Sequence, residues 1–269
     1  MPTLERLSPR IGAFVHDIDL RSVSEEEISF IREALNANLV VFFRNQTLDA
    51  SALYQLGRQF GKPTPYPYVE GLKEFPEIVE VIKRPEDILN FGGVWHSDTA
   101  YLDKPAMAGL LYGVEVPEKG GDTLFTNMYA VYDSLSPGMQ AYLATLSAVN
   151  DADNAAIAAT RPADSRKGLT AEHPAVRVHP ETGKSLLYVN RAHTTHFSGM
   201  TREESQELLS FLFERIEQPE FSYRFHWQPG SLAFWDNRAC QHYPINDYHG
   251  SQRRMLRISL AGDKPRGPP

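Results

Sequence analysis

Phe221-Ser222-Tyr223-Arg224-Phe225-His226-Trp227, followed by Gln228-Pro229-Gly230-Ser231 and then Leu232-Ala233-Phe234-Trp235, is the stretch whose reading decides the fold class. Phe221, Tyr223, Phe225 and Trp227 alternate with Ser222, Arg224 and His226, the period of a strand with one face buried and one in water. The Pro229-Gly230 pair turns the chain into a second apolar run. Working outward, residues 39–43, 108–114, 176–178, 186–189 and 256–260 read as further short strands, with His179-Pro180-Glu181-Thr182-Gly183 as a hairpin turn between two of them. Helices are fewer. Ser24 and Glu27 form a capping box ahead of Ile28, Ile31 and Leu35, and Thr201 and Glu204 form another ahead of Leu208, Leu212 and Ile216. Residues 50–60, with Leu53, Leu56 and Phe60 inward and Gly61 as terminator, make a third. Many short strands separated by turns indicate a mainly β protein with flanking helices (α+β) around a jelly-roll core.

At 269 residues the chain has the length of one domain, expected over 1–269. Residues 151–172, rich in Ala, Asp and Arg, read as a mobile excursion able to act as an active-site lid. A net charge of −7 and no basic run argue against nucleic acid as partner. The single cysteine, Cys240, excludes an intrachain disulfide and a multi-cysteine zinc site; it reads as a small buried filler. No apolar segment has the form of a signal peptide or a membrane span, so no membrane partner and a cytoplasmic location are expected.

Just beyond the second apolar run lies His242, and far upstream stands His96-Ser97-Asp98. In extended backbone, residues i and i+2 point the same way, so His96 and Asp98 can reach one ion. Two imidazoles and a carboxylate on one face of an octahedral metal leave three positions open, as an oxygenase requires. The His-x-Asp triplet alone also fits a solvated histidine beside a surface aspartate. Downstream, Arg253 and Arg257 share facing parity on the approach to the strand at 256–260. Two guanidiniums entering one cavity need anionic partners. Alternatively they form a solvated rim pairing with Asp247 or Asp263.

Taken together, these segments resemble the taurine dioxygenase and 2,4-dichlorophenoxyacetate dioxygenase family of Fe(II)/2-oxoglutarate-dependent oxygenases, over nearly the whole chain. Trp95-His96-Ser97-Asp98 resembles the family's Trp-His-x-Asp, Gly120-Gly121-Asp122-Thr123 its Gly-Gly-Asp-Thr, and Trp235-Asp236-Asn237-Arg238 with Gln241-His242 the segment of its distal histidine. Arg253 and Arg257 fall at its Arg-x-x-x-Arg. The resemblance implies a double-stranded β-helix core, Fe(II) on His96, Asp98 and His242, and 2-oxoglutarate held by Thr123 and Arg253. It further implies Arg257 on a small anionic organic substrate and dioxygen as oxidant. The implied reaction is hydroxylation with release of succinate and carbon dioxide; a leaving group on the hydroxylated carbon would then depart. A homo-oligomer is expected.

The stretch Asn90-Phe91-Gly92-Gly93-Val94 and the loop Pro65-Tyr66-Pro67-Tyr68 depart from the polar contacts expected for taurine. Tyr66, Tyr68 and Phe91 are candidates to line a more apolar substrate pocket. His193-Thr194-Thr195-His196 resembles a segment of the herbicide-degrading relatives, and its histidines read as pocket lining sooner than as metal ligands. Asp122, Asp236 and Asn237 read as tethers for the loops that carry Thr123 and His242. A different reading uses the same ligands for a redox-silent metal, in a jelly-roll hydrolase or ligand-binding module. Arg253 and Thr123 discriminate, because a hydrolase has no need of a second anionic cosubstrate.

Overall fold

The computed structural model of the chain describes residues 1–158 and 168–269. Its first strands are β1 (Thr3–Arg6), β2 (Ala13–His16), β3 (Val40–Phe43), β4 (Pro63–Thr64), β5 (Ile78–Lys83), β6 (Ala108–Glu115), β7 (Thr123–Asn127) and β8 (Ser147–Asp151). After them come β9 (Thr170–Pro174), β10 (Val176–Val178), β11 (Ser185–Leu187), β12 (Thr194–Phe197), β13 (Ser222–Phe225), β14 (Leu232–Asp236), β15 (Cys240–Pro244) and β16 (Arg253–Leu260). The helices are α1 (Glu25–Asn38), α2 (Ala50–Phe60), α3 (Met128–Asp133), α4 (Pro137–Leu143), α5 (Ala155–Ala158) and α6 (Arg202–Ile216). No helix among the described residues is long and apolar enough to cross a membrane.

One large sheet runs in the order β1-β2-β3-β14-β6-β16-β4, with β5 also paired to β16. A smaller sheet, β13-β7-β15, faces it. Strand alternation assigns the two faces of the large sheet. Val41, Phe43, Leu232, Phe234, Leu256 and Ile258 pack against Ile31 and Leu35 of α1 and Leu53 and Leu56 of α2. Phe42, Ala233, Trp235 and Met255, one residue out of phase, point to the smaller sheet and meet Phe125 and Phe225. Phe42 stacks on Phe225 with ring centroids 4.0 Å apart, and Phe125 lies 6.0 Å from Trp235. Arg253 and Arg257 share the parity of Met255, so both guanidiniums enter the space between the sheets.

The helical starts follow the sequence: Ser24 and Thr201 both close reciprocal capping boxes with Glu27 and Glu204. Several boundaries differ, two of them only by a residue added to the ends of β6 and β14. The strand expected at 39–43 begins at Val40, because Leu39 takes a left-handed conformation (φ 66°) to turn directly out of α1 while its N–H bonds to the Leu35 carbonyl. The run at 221–227 shortens to β13, since a 3-10 turn at Pro219–Phe221 precedes it, although Phe225 and Trp227 are buried as the alternation requires. The run at 186–189 begins a residue early, at Ser185, and pairs only through Leu187. The last strand starts at Arg253, so both arginines lie within it and not on its approach.

The ends of the excursion expected over 151–172 are joined to neighbouring strands. Asp151 ends β8 and pairs with Thr170 of β9, and α5 lies between. Residues 159–167 lie outside the described residues.

Candidate active site

The two sheets bring the sequence's candidate residues to one end of the space between them. β15 pairs with β7 so that His242 stands opposite Phe125, one alternation from Thr123. His96 lies outside any strand, yet its backbone forms an isolated antiparallel bridge with His242: His96 N–H donates to the His242 carbonyl at 3.2 Å, and His242 N–H to the His96 carbonyl at 3.0 Å. Main-chain pairing therefore fixes the spacing of the two imidazoles, whose centroids are 4.1 Å apart. Asp98 follows two residues on, as extended geometry requires.

His96, Asp98 and His242 each offer one ligand atom, and these atoms all lie within 4.8 Å of one another. All three are buried. Nδ1 of His96 donates to the Val94 carbonyl at 2.7 Å, which leaves Nε2 with its lone pair toward Asp98. Burial and the neighbouring His96 push the His242 imidazole well below its ordinary pKa, so it is neutral and able to ligate. Burial alone would raise the Asp98 carboxyl, but Arg257 and the two imidazoles outweigh it and hold it well below the usual carboxylate range. Asp98 Oδ2 and His242 Nδ1 have no partner among the described residues. Two neutral imidazole nitrogens and an ionised carboxylate, buried together, fit a divalent transition metal.

Asn237 holds this arrangement from behind. Its side-chain carbonyl accepts the Asp98 N–H at 2.7 Å, and its amide donates to the Asp98 carbonyl at 3.0 Å and the Ala106 carbonyl at 2.8 Å. Thr99, next in the chain, sits at a positive φ of 53°, a strained conformation that the surrounding bonds maintain at the metal end. Asn237→Ala should therefore lower iron affinity about 10- to 100-fold through loss of ligand orientation. It should also lower the melting temperature, since three buried backbone groups lose their partner; unchanged metal affinity in titrations would show that Asp98 is placed by other contacts. The sequence marks Asn237 as a tether for the turn before His242, and its tie to Asp98 becomes visible only in three dimensions.

The hollow beside the triad is walled by Val81, Phe91, Leu111, Thr123, Phe125, Trp235, Pro244, Arg253 and Arg257, together with His96 and His242. Arg253 is buried with its Nε and Nη2 unpartnered, and its guanidinium lies 5.5 Å from the centre of the Trp227 ring. Trp227 Nε1 donates to the Thr123 hydroxyl at 3.0 Å, so that hydroxyl keeps its own hydrogen for an acceptor. Asp122 accepts from Arg224 at 2.6 Å and from His226 at 2.9 Å, which fixes the residue just ahead of Thr123. The alternative acids for the arginine pair are engaged elsewhere: Asp247 meets the Gly121 N–H and Asp263 meets Arg177.

Arg257 Nη2 lies 2.6 Å from Asp98 Oδ1, a close charge contact without aligned hydrogen-bond geometry; Nε and Nη2 count no aligned acceptor. Tyr66, Phe91, Gly92, Thr99, Ile157 and His193 form a second hollow on the other side of His96 and Asp98. Gly92, at φ 74°, lies so close that a Cβ there would stand 3.1 Å from His96 Cε1. The Arg257 guanidinium is 5.2 Å from the centre of the Tyr66 ring. Tyr68 is not among the described residues lining either hollow; it packs edge-on against Tyr66 and Tyr101. His193 does line the second hollow, with Tyr101 packed against its ring at 4.9 Å, whereas His196 is turned toward Thr195, 2.9 Å away.

Residues 3–259 match the family model described as taurine catabolism dioxygenase TauD, TfdA family. An alkylsulfatase of Acinetobacter baylyi is 32% identical, with 98% of this chain and 86% of that protein covered. The 2,4-dichlorophenoxyacetate dioxygenase of Cupriavidus pinatubonensis, named as dependent on alpha-ketoglutarate, is also 32% identical, with 96% of each chain covered. Among solved structures, a taurine dioxygenase from Burkholderia xenovorans superposes with a TM-score of 0.87 at 37% identity, over 99% of this chain and 91% of that one.

Proposed function

The chain belongs to the taurine catabolism dioxygenase TauD, TfdA family, and from that premise we propose roles for its individual residues and a substrate class. It is a 2-oxoglutarate-dependent non-haem iron dioxygenase. Its facing sheets are those of a double-stranded β-helix. In this reading His96, Asp98 and His242 hold Fe(II), Arg253 and Thr123 hold the remote carboxylate of 2-oxoglutarate, and Arg257 receives the anionic head of the substrate. The observation that carries it is the pair of buried arginines with unsatisfied donors lining the same hollow as His96 and His242.

Iron, 2-oxoglutarate and dioxygen supply the oxidising power that hydroxylates a substrate C–H bond, with succinate and carbon dioxide as coproducts. The chain's own residues position and shield. Arg253 offers parallel N–H donors to a carboxylate, while Thr123, its oxygen already engaged by Trp227, donates a third bond. Phe125, Trp235 and Leu111 exclude water along the wall between that end and the histidines. Arg257 stands between Asp98 and Tyr66, so one guanidinium can orient the metal carboxylate and meet an anion entering from the Tyr66 side.

The relatives are named for an alkyl sulfate, an aryloxyacetate and taurine, all small anions. Tyr66, Phe91 and Ile157 give the second hollow an apolar wall, and the described residues lining it carry no carboxylate other than Asp98 to meet an ammonium. The substrate is therefore a sulfonate, sulfate ester or aryloxy or alkyl carboxylate with an apolar body, preferred over taurine. The homo-oligomer and cytoplasmic location expected from the sequence remain part of this reading.

The test is anaerobic reconstitution with Fe(II) and 2-oxoglutarate, watching the metal-to-ligand absorption band as sulfonates, sulfate esters and aryloxy acids are added. Anions with apolar bodies should perturb the band more than taurine; efficient taurine turnover would overturn the substrate assignment. Arg257→Ala should uncouple oxygen uptake from substrate oxidation and weaken substrate binding by about 2–5 kcal/mol, the loss expected for a buried charge-assisted contact. Substrate-coupled turnover indifferent to Arg257 would remove it from substrate recognition.

A further inference from the structure

We infer that Lys83 is a second cation of the cosubstrate site, adding its charge to that of Arg253 for the remote carboxylate of 2-oxoglutarate. The inference rests on the reading of Arg253 given above. Lys83 ends β5 and stands directly opposite Arg253 of β16 in the antiparallel register. Directly opposed residues of such a pair project to the same face of the sheet, here the inner one, which also carries Val81 at the wall of the hollow. Lys83 is only 4% exposed, and its Nζ has no hydrogen-bond acceptor among the described residues.

Its one described polar contact is the ring of Tyr248, 4.4 Å from Nζ to the centroid. Tyr248 is itself buried, with the charge of Arg253 near enough to act on its phenol. An ammonium, a phenol and a guanidinium thus lie together behind the Val81 and Arg253 wall of the hollow, with no acid of the described residues paired to either cation. Acids are not lacking nearby, but they are committed: Glu80 to Arg254, Asp122 to Arg224 and His226, and Asp247 to Arg224 and the Gly121 N–H. Two like charges desolvated side by side are unfavourable unless a shared counter-anion enters. A carboxylate suits both. Arg253 presents a fork that fixes the orientation of its two oxygens, and Lys83 a compact point charge that raises affinity without adding an angular demand.

The test uses Fe(II)-loaded protein titrated anaerobically with 2-oxoglutarate and, separately, with 2-oxopentanoate, which has the same carbon chain but no remote carboxylate. Lys83→Met should weaken 2-oxoglutarate by about tenfold or more while leaving 2-oxopentanoate within about twofold, and Lys83→Arg should keep most of the affinity. Melting of the metal-free, cosubstrate-free protein supplies an independent readout. Loss of an uncompensated buried charge should raise the melting temperature of Lys83→Met, whereas loss of a mere prop for Tyr248 would lower it. Lys83→Gln gives the same comparison if the methionine variant does not accumulate. Equal weakening of both 2-oxo acids, unchanged 2-oxoglutarate affinity, or a lowered melting temperature would overturn the inference. Arg253→Ala serves as the reference: if it alone weakens 2-oxoglutarate, Lys83 is excluded and the site stands, and if neither variant does, the reading of the site falls first.

Discussion

His242→Ala and His96→Ala are each expected to abolish turnover, with iron affinity falling further than the tenfold to hundredfold typical of disturbing an outer-shell contact. Each removes one of only three protein ligands, and the described residues hold no other histidine, cysteine or acid in that cluster to replace it. Their folds should survive, since the bridge joining positions 96 and 242 is made by backbone atoms. Asp98→Ala should differ in a measurable way. It too should lose iron and hydroxylation, but it also deprives the buried Arg257 of the carboxylate 2.6 Å away, and breaking a buried ion pair from one side costs about 3–5 kcal/mol. The metal-free Asp98→Ala protein should therefore melt well below either histidine variant. Metal content after desalting and melting curves of the stripped proteins read the two effects separately; full iron occupancy in all three variants would sink the ligand assignment.

Arg253→Ala should raise the 2-oxoglutarate requirement by roughly 30- to 4,000-fold, the equivalent of about 2–5 kcal/mol for a desolvated charge-assisted fork. The loss should fall on cosubstrate binding, because Nε and Nη2 have no acceptor among the described residues and stay free for an anion. Arg253→Lys should recover part of the binding, since an ammonium restores the charge but not the parallel pair of donors. Thr123 and Trp227 would remain in place, their mutual hydrogen bond being independent of the guanidinium. Anaerobic titration of the absorption band measures the effect directly. An unchanged midpoint would assign Arg253 to some other anion.

Much of this site is legible in the sequence because strand periodicity is a local property. Arg253 and Arg257 share a face for the same reason that His96 and Asp98 do, and the Thr201 and Ser24 caps are complete within four residues. What escapes the sequence is register, which depends on partners distant in the chain. Nothing near Lys83 announces that it will stand opposite Arg253, and nothing near Asn237 that its amide will clasp the backbone of Asp98. Leu39 is hidden for another reason: a large apolar residue is a poor candidate for left-handed backbone, and only the direct passage from α1 into β3 demands it. Tyr68 shows the converse limit, since aromatic character marks burial without saying which neighbour is met.

The reciprocal backbone bonds between His96 and His242 also carry a meaning in time. Segments from distant parts of the chain must meet before those bonds exist, and contacts of that kind form late because the intervening loop has to be closed first. A nascent or half-folded chain can own both imidazoles and still present no ligand set, since their 4.1 Å approach exists only once the backbone of His96 has paired with that of His242 on β15. Because main-chain pairing joins these positions, iron need not template this protein in the way that zinc templates a finger. It binds what folding has already finished, so partly folded chains have little hold on the metal and little opportunity to start uncoupled oxygen chemistry before the shielding walls are in place.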